Sequence, residues 1–326
     1  MEFFSDKAIK GIIKKNSVLC VGFDPQLKHI PEHVLQEGWK QAKDKTGFEP
    51  IARAFVIFNT AIARSTVPFA TFAKLQMAFY EKYGAWGVWA FEETKRICEE
   101  VGFIVIEDAK RGDGGATAEA YASGHLGVVE KWDGNEKKVV KVPSFNLDAM
   151  TVHGYIGSSC IDEFVKVIKE CGKGIFIVDK TSFKPNSEIE QMTLRDDTKV
   201  WQGLAKLALD WGKGAEGELG YSNVGVVMGA TYPEDAVIMR QIMGENCLFL
   251  IPGYGAGQGG GADAAITGIN NDGFGVVNSS RGISGAYLKG SFECSPYDYA
   301  EASAKSAEFS NNELNEARRR AGKLLE

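Results

Sequence analysis

Eight short apolar runs recur along this chain, each followed by a longer stretch, most with helical spacing, and this alternation limits the fold more than any other feature. The runs lie at 18–23, 69–75, 103–108, 149–153, 174–179, 224–229, 247–251 and 273–278. Helical patterns lie near 51–65, 86–101, 117–131, 160–170, 199–213, 233–243 and 262–267, and a last amphipathic stretch runs from about 297 to 324. Strands that are apolar nearly throughout belong to parallel sheets covered on both faces. Eight strand–helix units in sequence predict an α/β fold of the (β/α)8 TIM-barrel type. A doubly wound sheet would show fewer strands and a glycine fingerprint after the first one, which is absent here. The first 16 residues read as a mixed-charge amphipathic helix. Segments 26–47, 132–145 and 184–197 are polar and read as surface insertions or lids. Residues 1–326 are therefore expected to form one barrel domain with these additions.

Composition narrows the function classes. An apolar content of 44% and a charged content of 25% are those of a globular protein. A net charge of −6 leaves no basic footprint for nucleic acid or for an anionic membrane. No apolar run is long enough to cross a bilayer, and the N-terminal segment lacks the apolar stretch of an export signal. The six cysteines (Cys20, Cys98, Cys160, Cys171, Cys247 and Cys294) form no Cys-x-x-Cys pair. They read as reduced thiols of a cytoplasmic protein.

A barrel places its active site at the C-terminal ends of its strands. Polar residues gather at those ends here: Asp24 after the first run, Lys74 at the end of the second, Asp108 and Lys110 at the third, Ser182 after the fifth and Arg281 after the eighth. The third run is the most telling, Ile104-Val105-Ile106-Glu107-Asp108-Ala109-Lys110-Arg111-Gly112-Asp113. Side chains alternate along a strand, so Asp108 and Lys110 are expected on one face, with Asp113 just beyond the turn at Gly112. A lysine between two carboxylates is expected to keep its proton. It suits charge stabilisation followed by proton donation, not Schiff-base chemistry. Charged groups at a strand end can be a solvated rim, but Lys74 sits in apolar Phe72-Ala73-Lys74-Leu75 and needs partners. An alternating set of Lys74, Asp108, Lys110 and Asp113 supplies them.

The seventh run leads into Pro252-Gly253-Tyr254-Gly255-Ala256-Gly257-Gln258-Gly259-Gly260-Gly261. Backbone N–H groups exposed by such glycines can wrap a phosphate, and Arg281 after the eighth run adds a guanidinium. His29 and His33 have the spacing of metal ligands, but no acidic pattern accompanies them, and no metal is expected there. His125 and His153 read as structural. Arg111-Gly112-Asp113 spells an adhesion tripeptide, which carries no weight without an export signal.

Five segments together resemble the orotidine 5′-phosphate decarboxylase family, in its longer bacterial branch, which is similar to the parasite enzymes. They are Leu19-Cys20-Val21-Gly22-Phe23-Asp24-Pro25, Lys74-Leu75-Gln76, Asp108-Ala109-Lys110-Arg111-Gly112-Asp113, Gly229-Ala230-Thr231-Tyr232-Pro233-Glu234 and Pro252-Gly253-Tyr254-Gly255. The resemblance implies decarboxylation of orotidine 5′-phosphate to uridine 5′-phosphate with no cofactor, and no thiamine, pyridoxal or flavin signature is present. It implies that Lys110 protonates the pyrimidine carbon that loses carbon dioxide and that Asp108 crowds the substrate carboxylate. Lys74 and Asp113 would complete the charge network, Asp113 and Thr117 reaching in from the second subunit of a homodimer. Asp24 would bind ribose hydroxyls, Ser182 the pyrimidine, and Gln258 and Arg281 the phosphate, with Gln76, Pro252 and Gly255 also at the substrate. The chain departs from the family pattern at Gly114, at Thr151-Val152-His153-Gly154-Tyr155 in place of an Asn-Pro pair, at Phe183 and at the extra Gly257. Two alternatives stand beside this reading: a metal-dependent sugar-phosphate decarboxylase or aldolase with the same Asp-x-Lys-x-x-Asp core, and a catalytically silent nucleotide-binding protein.

Overall fold

The computed structural model describes residues 1–183, 188–255 and 260–324. Its strands are β1 (Leu19–Phe23), β2 (Phe72–Gln76), β3 (Ile104–Arg111), β4 (Val128–Asp133), β5 (Lys138–Pro143), β6 (Ala149–His153), β7 (Gly174–Lys180), β8 (Ser222–Met228), β9 (Cys247–Ile251) and β10 (Val276–Ser279). Eight of them close a barrel in the order β1-β10-β9-β8-β7-β6-β3-β2, while β4 and β5 form a separate two-stranded sheet. Every barrel pairing is parallel. The predicted (β/α)8 architecture is therefore what the chain adopts. Each of the eight predicted runs coincides with a barrel strand to within a few residues.

The barrel is stoppered at its N-terminal end. Gly174 begins β7 with no side chain, and a Cβ there would meet the Phe4 ring at 2.3 Å, so the glycine makes room for it. Phe4 packs edge-on against Phe176 at 5.7 Å between ring centres. The helix Phe4–Lys15 is pinned beside it by the Ser5 backbone N–H, which donates to Asn223 Oδ1 at 2.8 Å. With this end filled, the C-terminal end is the open one.

Two expectations change. The helical pattern at 117–131 is a helix only over Gly115–His125, after which Val128–Asp133 pairs antiparallel with Lys138–Pro143. Gly127 follows the helix end, and the β-branched Val128-Val129 and Val139-Val140 pairs favour extended backbone. The hairpin is mostly exposed and takes up most of the expected insertion at 132–145. The insertion at 26–47 also has structure of its own, a helix over Glu32–Gln41. Among the described residues no helix is long and apolar enough to cross a membrane, and all six cysteines are free thiols.

Candidate active site

A cavity of about 200 Å³ opens among the C-terminal ends of the barrel strands. Asp24, Lys74, Gln76, Asp108, Lys110, Ser182, Pro252 and Arg281 all line it, as the strand-end rule predicts. These residues come from six strands or the loops that follow them, and only the closed barrel brings them together.

Asp108 is the hub. Its Oδ2 accepts hydrogen bonds from Lys74 Nζ and Gln76 Nε2, both at 2.9 Å. Its Oδ1 accepts from Lys110 Nζ at 2.5 Å and from Thr151 Oγ1 at 2.9 Å. Four donors on one buried carboxylate satisfy both oxygens and fix their direction. Burial alone would raise the Asp108 carboxyl, but Lys74 and Lys110 outweigh it and hold the group well below the usual carboxylate range. Lys74 is 4% exposed. Burial would lower its ammonium, but Asp108 and, at 3.7 Å, Asp24 outweigh that and hold it above its ordinary value.

Lys110 does not reach Asp108 by simple alternation. The register of β3 against β6 shifts between Glu107 and Arg111, and Lys110 takes a left-handed backbone with φ of 49°. That conformation is uncommon for a residue with a side chain, and strain of this kind gathers at functional sites. The Lys110 backbone N–H is secured by donating to Thr151 Oγ1 at 3.0 Å. Thr151 was legible only as a departure from the family pattern, yet its buried hydroxyl touches both members of the pair. Asn278 and Ser280 also line the cavity without having been singled out. Gly22 in β1 lets Ser280 in, since a Cβ at Gly22 would meet Ser280 Oγ at 1.9 Å.

The glycine-rich loop folds back on itself: Gly255 N–H donates to the Gly260 carbonyl at 3.1 Å and Gly260 N–H to the Gly253 carbonyl at 3.3 Å. Gly253 and Gly255 have φ of 93° and 90°, which only glycine adopts freely. Tyr254 Oη donates to Glu313 Oε2 at 2.6 Å and ties the loop to the helix Tyr299–Arg320. Pro252, Gly253 and Tyr254 form the cavity wall, with Gly255 one residue beyond it. Gln258 lies outside the described residues. Arg281 is exposed on the rim, free to meet an anion entering from solvent.

Asp113 and Thr117 do not line this cavity. Both are exposed, and Asp113 Oδ1 accepts only the neighbouring Gly114 N–H, at 2.7 Å, among the described residues. His33 stacks on Tyr297 at 4.4 Å. Among the described residues no group of three or more His, Cys, Asp or Glu could hold a metal ion.

The description "Orotidine 5'-phosphate decarboxylase / HUMPS family" matches residues 17–290. An orotidine 5′-phosphate decarboxylase of Clostridium tetani is 35% identical over 284 residues, covering 87% of this chain and 89% of that protein. One from Rhodopirellula baltica is 34% identical over 293 residues, covering 90% and 91%. The solved structure of Leishmania donovani OMP decarboxylase superposes with a TM-score of 0.70 at 26% identity, covering 98% of this chain and 100% of that one. With a match over most of its length and relatives above 30% identity, the chain belongs to the orotidine 5′-phosphate decarboxylase / HUMPS family.

Proposed function

We propose that this protein is a carboxy-lyase that converts orotidine 5′-phosphate to uridine 5′-phosphate and carbon dioxide, the last step of pyrimidine nucleotide synthesis, without a cofactor. The observation that carries the reading is Asp108 held between the ammonium groups of Lys74 and Lys110 inside a cavity whose rim bears Arg281.

Loss of carbon dioxide breaks a ring C–C bond and leaves the electron pair in an in-plane orbital of the pyrimidine, with no adjacent electron sink. The charge must be met electrostatically. Lys110 Nζ, already oriented by Asp108, stands beside that carbon without reorganisation and then transfers its proton to it. Asp108 would crowd the substrate carboxylate from beside it, and their repulsion would ease as carbon dioxide departs. At an effective dielectric near 20, one ion contact at about 4 Å contributes about 4 kcal/mol. Enzymes lower barriers by roughly 8–23 kcal/mol, so one lysine falls short. Grip on the phosphate by Arg281 and the glycine-rich loop contributes the rest by orienting the ring and closing the site. Asp24 would bind the ribose hydroxyls and Ser182 the pyrimidine, with Gln76 and Pro252 beside them.

The exposure of Asp113 and Thr117, outside their own cavity, supports a homodimer in which each copy lends these residues to the other's site. The charge of −6 and the free thiols fit a cytoplasmic single-domain enzyme. The test is the ultraviolet absorbance of orotidine 5′-phosphate incubated with purified protein and a chelator. A steady conversion to uridine 5′-phosphate is expected. No conversion would leave a silent nucleotide-binding protein, and a chelator-sensitive reaction of a sugar phosphate would move the chain to the metal-dependent branch.

A further inference from the structure

Lys180 ends β7 and is completely buried, a rare setting for an ammonium. The proposed reaction gives it nothing to do. Its Nζ donates to Glu190 Oε2 at 3.2 Å, stands 4.0 Å from Asp235 Oδ2 and lies 3.8 Å from the centre of the Tyr232 ring. Two of these three groups, Glu190 and Tyr232, in turn grip the segment that carries Ser182. Glu190 Oε1 accepts the Thr181 N–H at 3.1 Å, and Tyr232 Oη donates to the Phe183 carbonyl at 2.5 Å. Between them, Thr231 Oγ1 donates to the Ser182 carbonyl at 3.0 Å. Gly229 N–H donates to the Lys180 carbonyl at 2.8 Å, and the segment seats directly on Gly229, where a Cβ would meet Ser182 Cα at 2.6 Å. The backbone from Lys180 to Phe183 is thus fixed at every residue, and Thr181, Ser182 and Phe183 all line the cavity that Lys110 also lines.

We propose that Lys180, Glu190 and Tyr232 form a buried clamp that positions Ser182 and thereby sets affinity for the pyrimidine ring. This rests on the reading that Ser182 meets the pyrimidine. A cation suits the centre of the clamp because one ammonium attracts a carboxylate and an aromatic face together. Glu190 and Tyr232 are positioning residues: they act on the substrate only through the 181–183 backbone. The same turn reaches the phosphate end of the cavity, since Ala230 N–H donates to the Pro252 carbonyl at 2.9 Å.

The experiment compares binding of uridine 5′-phosphate with binding of ribose 5-phosphate, which lacks the ring, by titration calorimetry. Glu190→Gln and Tyr232→Phe should each weaken uridine 5′-phosphate about tenfold and leave ribose 5-phosphate within about twofold, raising KM more than they lower kcat. Ser182→Ala should show the same selectivity, and adding Glu190→Gln to it should cost no further affinity, since both act through one hydroxyl. Lys180→Arg, which keeps the cation, should retain most of the discrimination. Equal loss of both ligands in Glu190→Gln and Tyr232→Phe would mean a merely structural role and overturn the clamp, as would full additivity in the double variant. If Ser182→Ala binds both ligands like the parent, the Ser182 assignment fails and the clamp with it, while turnover of orotidine 5′-phosphate by the unmodified enzyme would still uphold the proposed reaction.

Discussion

The hydroxyl of Thr151 accepts a hydrogen bond from the backbone N–H of Lys110 at 3.0 Å and donates one to Asp108 Oδ1 at 2.9 Å. One small side chain on β6 therefore stabilises the left-handed bend at Lys110 and aims the carboxylate that orients its amine. Thr151→Val keeps the shape and removes both bonds. A hydrogen bond to a charged group contributes about 1.5–3 kcal/mol, so kcat should fall roughly ten- to hundredfold. Affinity for uridine 5′-phosphate should change little, and Thr151→Ser should recover most of the rate. Steady-state kinetics beside product titrations decide it: unchanged kcat in the valine variant removes Thr151 from the site.

Lys110→Ala takes away the group assigned both to meet the ring charge and to return a proton. The electrostatic share alone, about 4 kcal/mol, corresponds to roughly a thousandfold in rate, and loss of the proton donor adds to it. Product binding should survive, because uridine 5′-phosphate carries no developing charge at that carbon. Single-turnover assays with the purified variant give the answer. Turnover near that of the parent would show that another group delivers the proton.

Acid should act on the network in a defined direction. Asp108 is held well below its ordinary value, because Lys74 and Lys110 outweigh the effect of burial. The unfolded carboxyl titrates near about 3.9. Its contribution to stability is therefore fully present above that pH and is lost as pH falls toward the folded value. Asp108→Asn, which leaves the Lys74 ammonium with poorer compensation, should lose about 3 kcal/mol at pH 7. The gap to the parent should narrow below about pH 4. Lys74 has the opposite sign: its raised value contributes stability below about pH 10.4, lost as pH rises through the folded value. Urea unfolding across pH 3–7 tests this, and a gap that stays constant down to pH 3 contradicts it.

Fold and site were not equally legible in the sequence. Apolar runs covered on both faces announce barrel strands directly, and the strand-end rule then delivers Asp24, Lys74, Asp108, Lys110 and Arg281 to one cavity. Period-two reasoning put Lys110 beside Asp108, but the route is a register shift and a positive φ that no alternation pattern encodes. Thr151 stood out only as a departure from the family pattern and its role went unread, because a threonine within a strand is ordinarily a β-former and its contacts exist only once β3 and β6 are neighbours. The hairpin of β4 and β5 was hidden because its polar, exposed residues lack the apolar run by which the barrel strands are recognised.

Arg281 stands exposed on the rim, where its guanidinium can pair with phosphate oxygens. Arg281→Ala should weaken uridine 5′-phosphate by about ten- to hundredfold, the cost of a charge-assisted contact. Uridine, which lacks the phosphate, should bind both proteins alike. Calorimetric titration of nucleotide and nucleoside separates the terms. Equal losses for both ligands would place Arg281 against the nucleoside instead.

Asp113 and Thr117 are exposed and absent from the cavity of their own chain, whereas Lys110 lines it. If each copy completes the other's site, damage at Lys110 and damage at Asp113 fall in different sites of a mixed dimer. Lys110→Ala homodimers and Asp113→Ala homodimers should each be nearly inactive. A heterodimer carrying one of each places both lesions in one site and leaves the other intact. Random reassortment of the two variants should then restore about a quarter of the parent activity, since about half the dimers are mixed and each has one working site. The mixture is made by dissociating and reassembling the two purified variants, with subunit exchange followed by differential tags. Complete exchange without recovered activity would put Asp113 and Lys110 in service of the same chain's site.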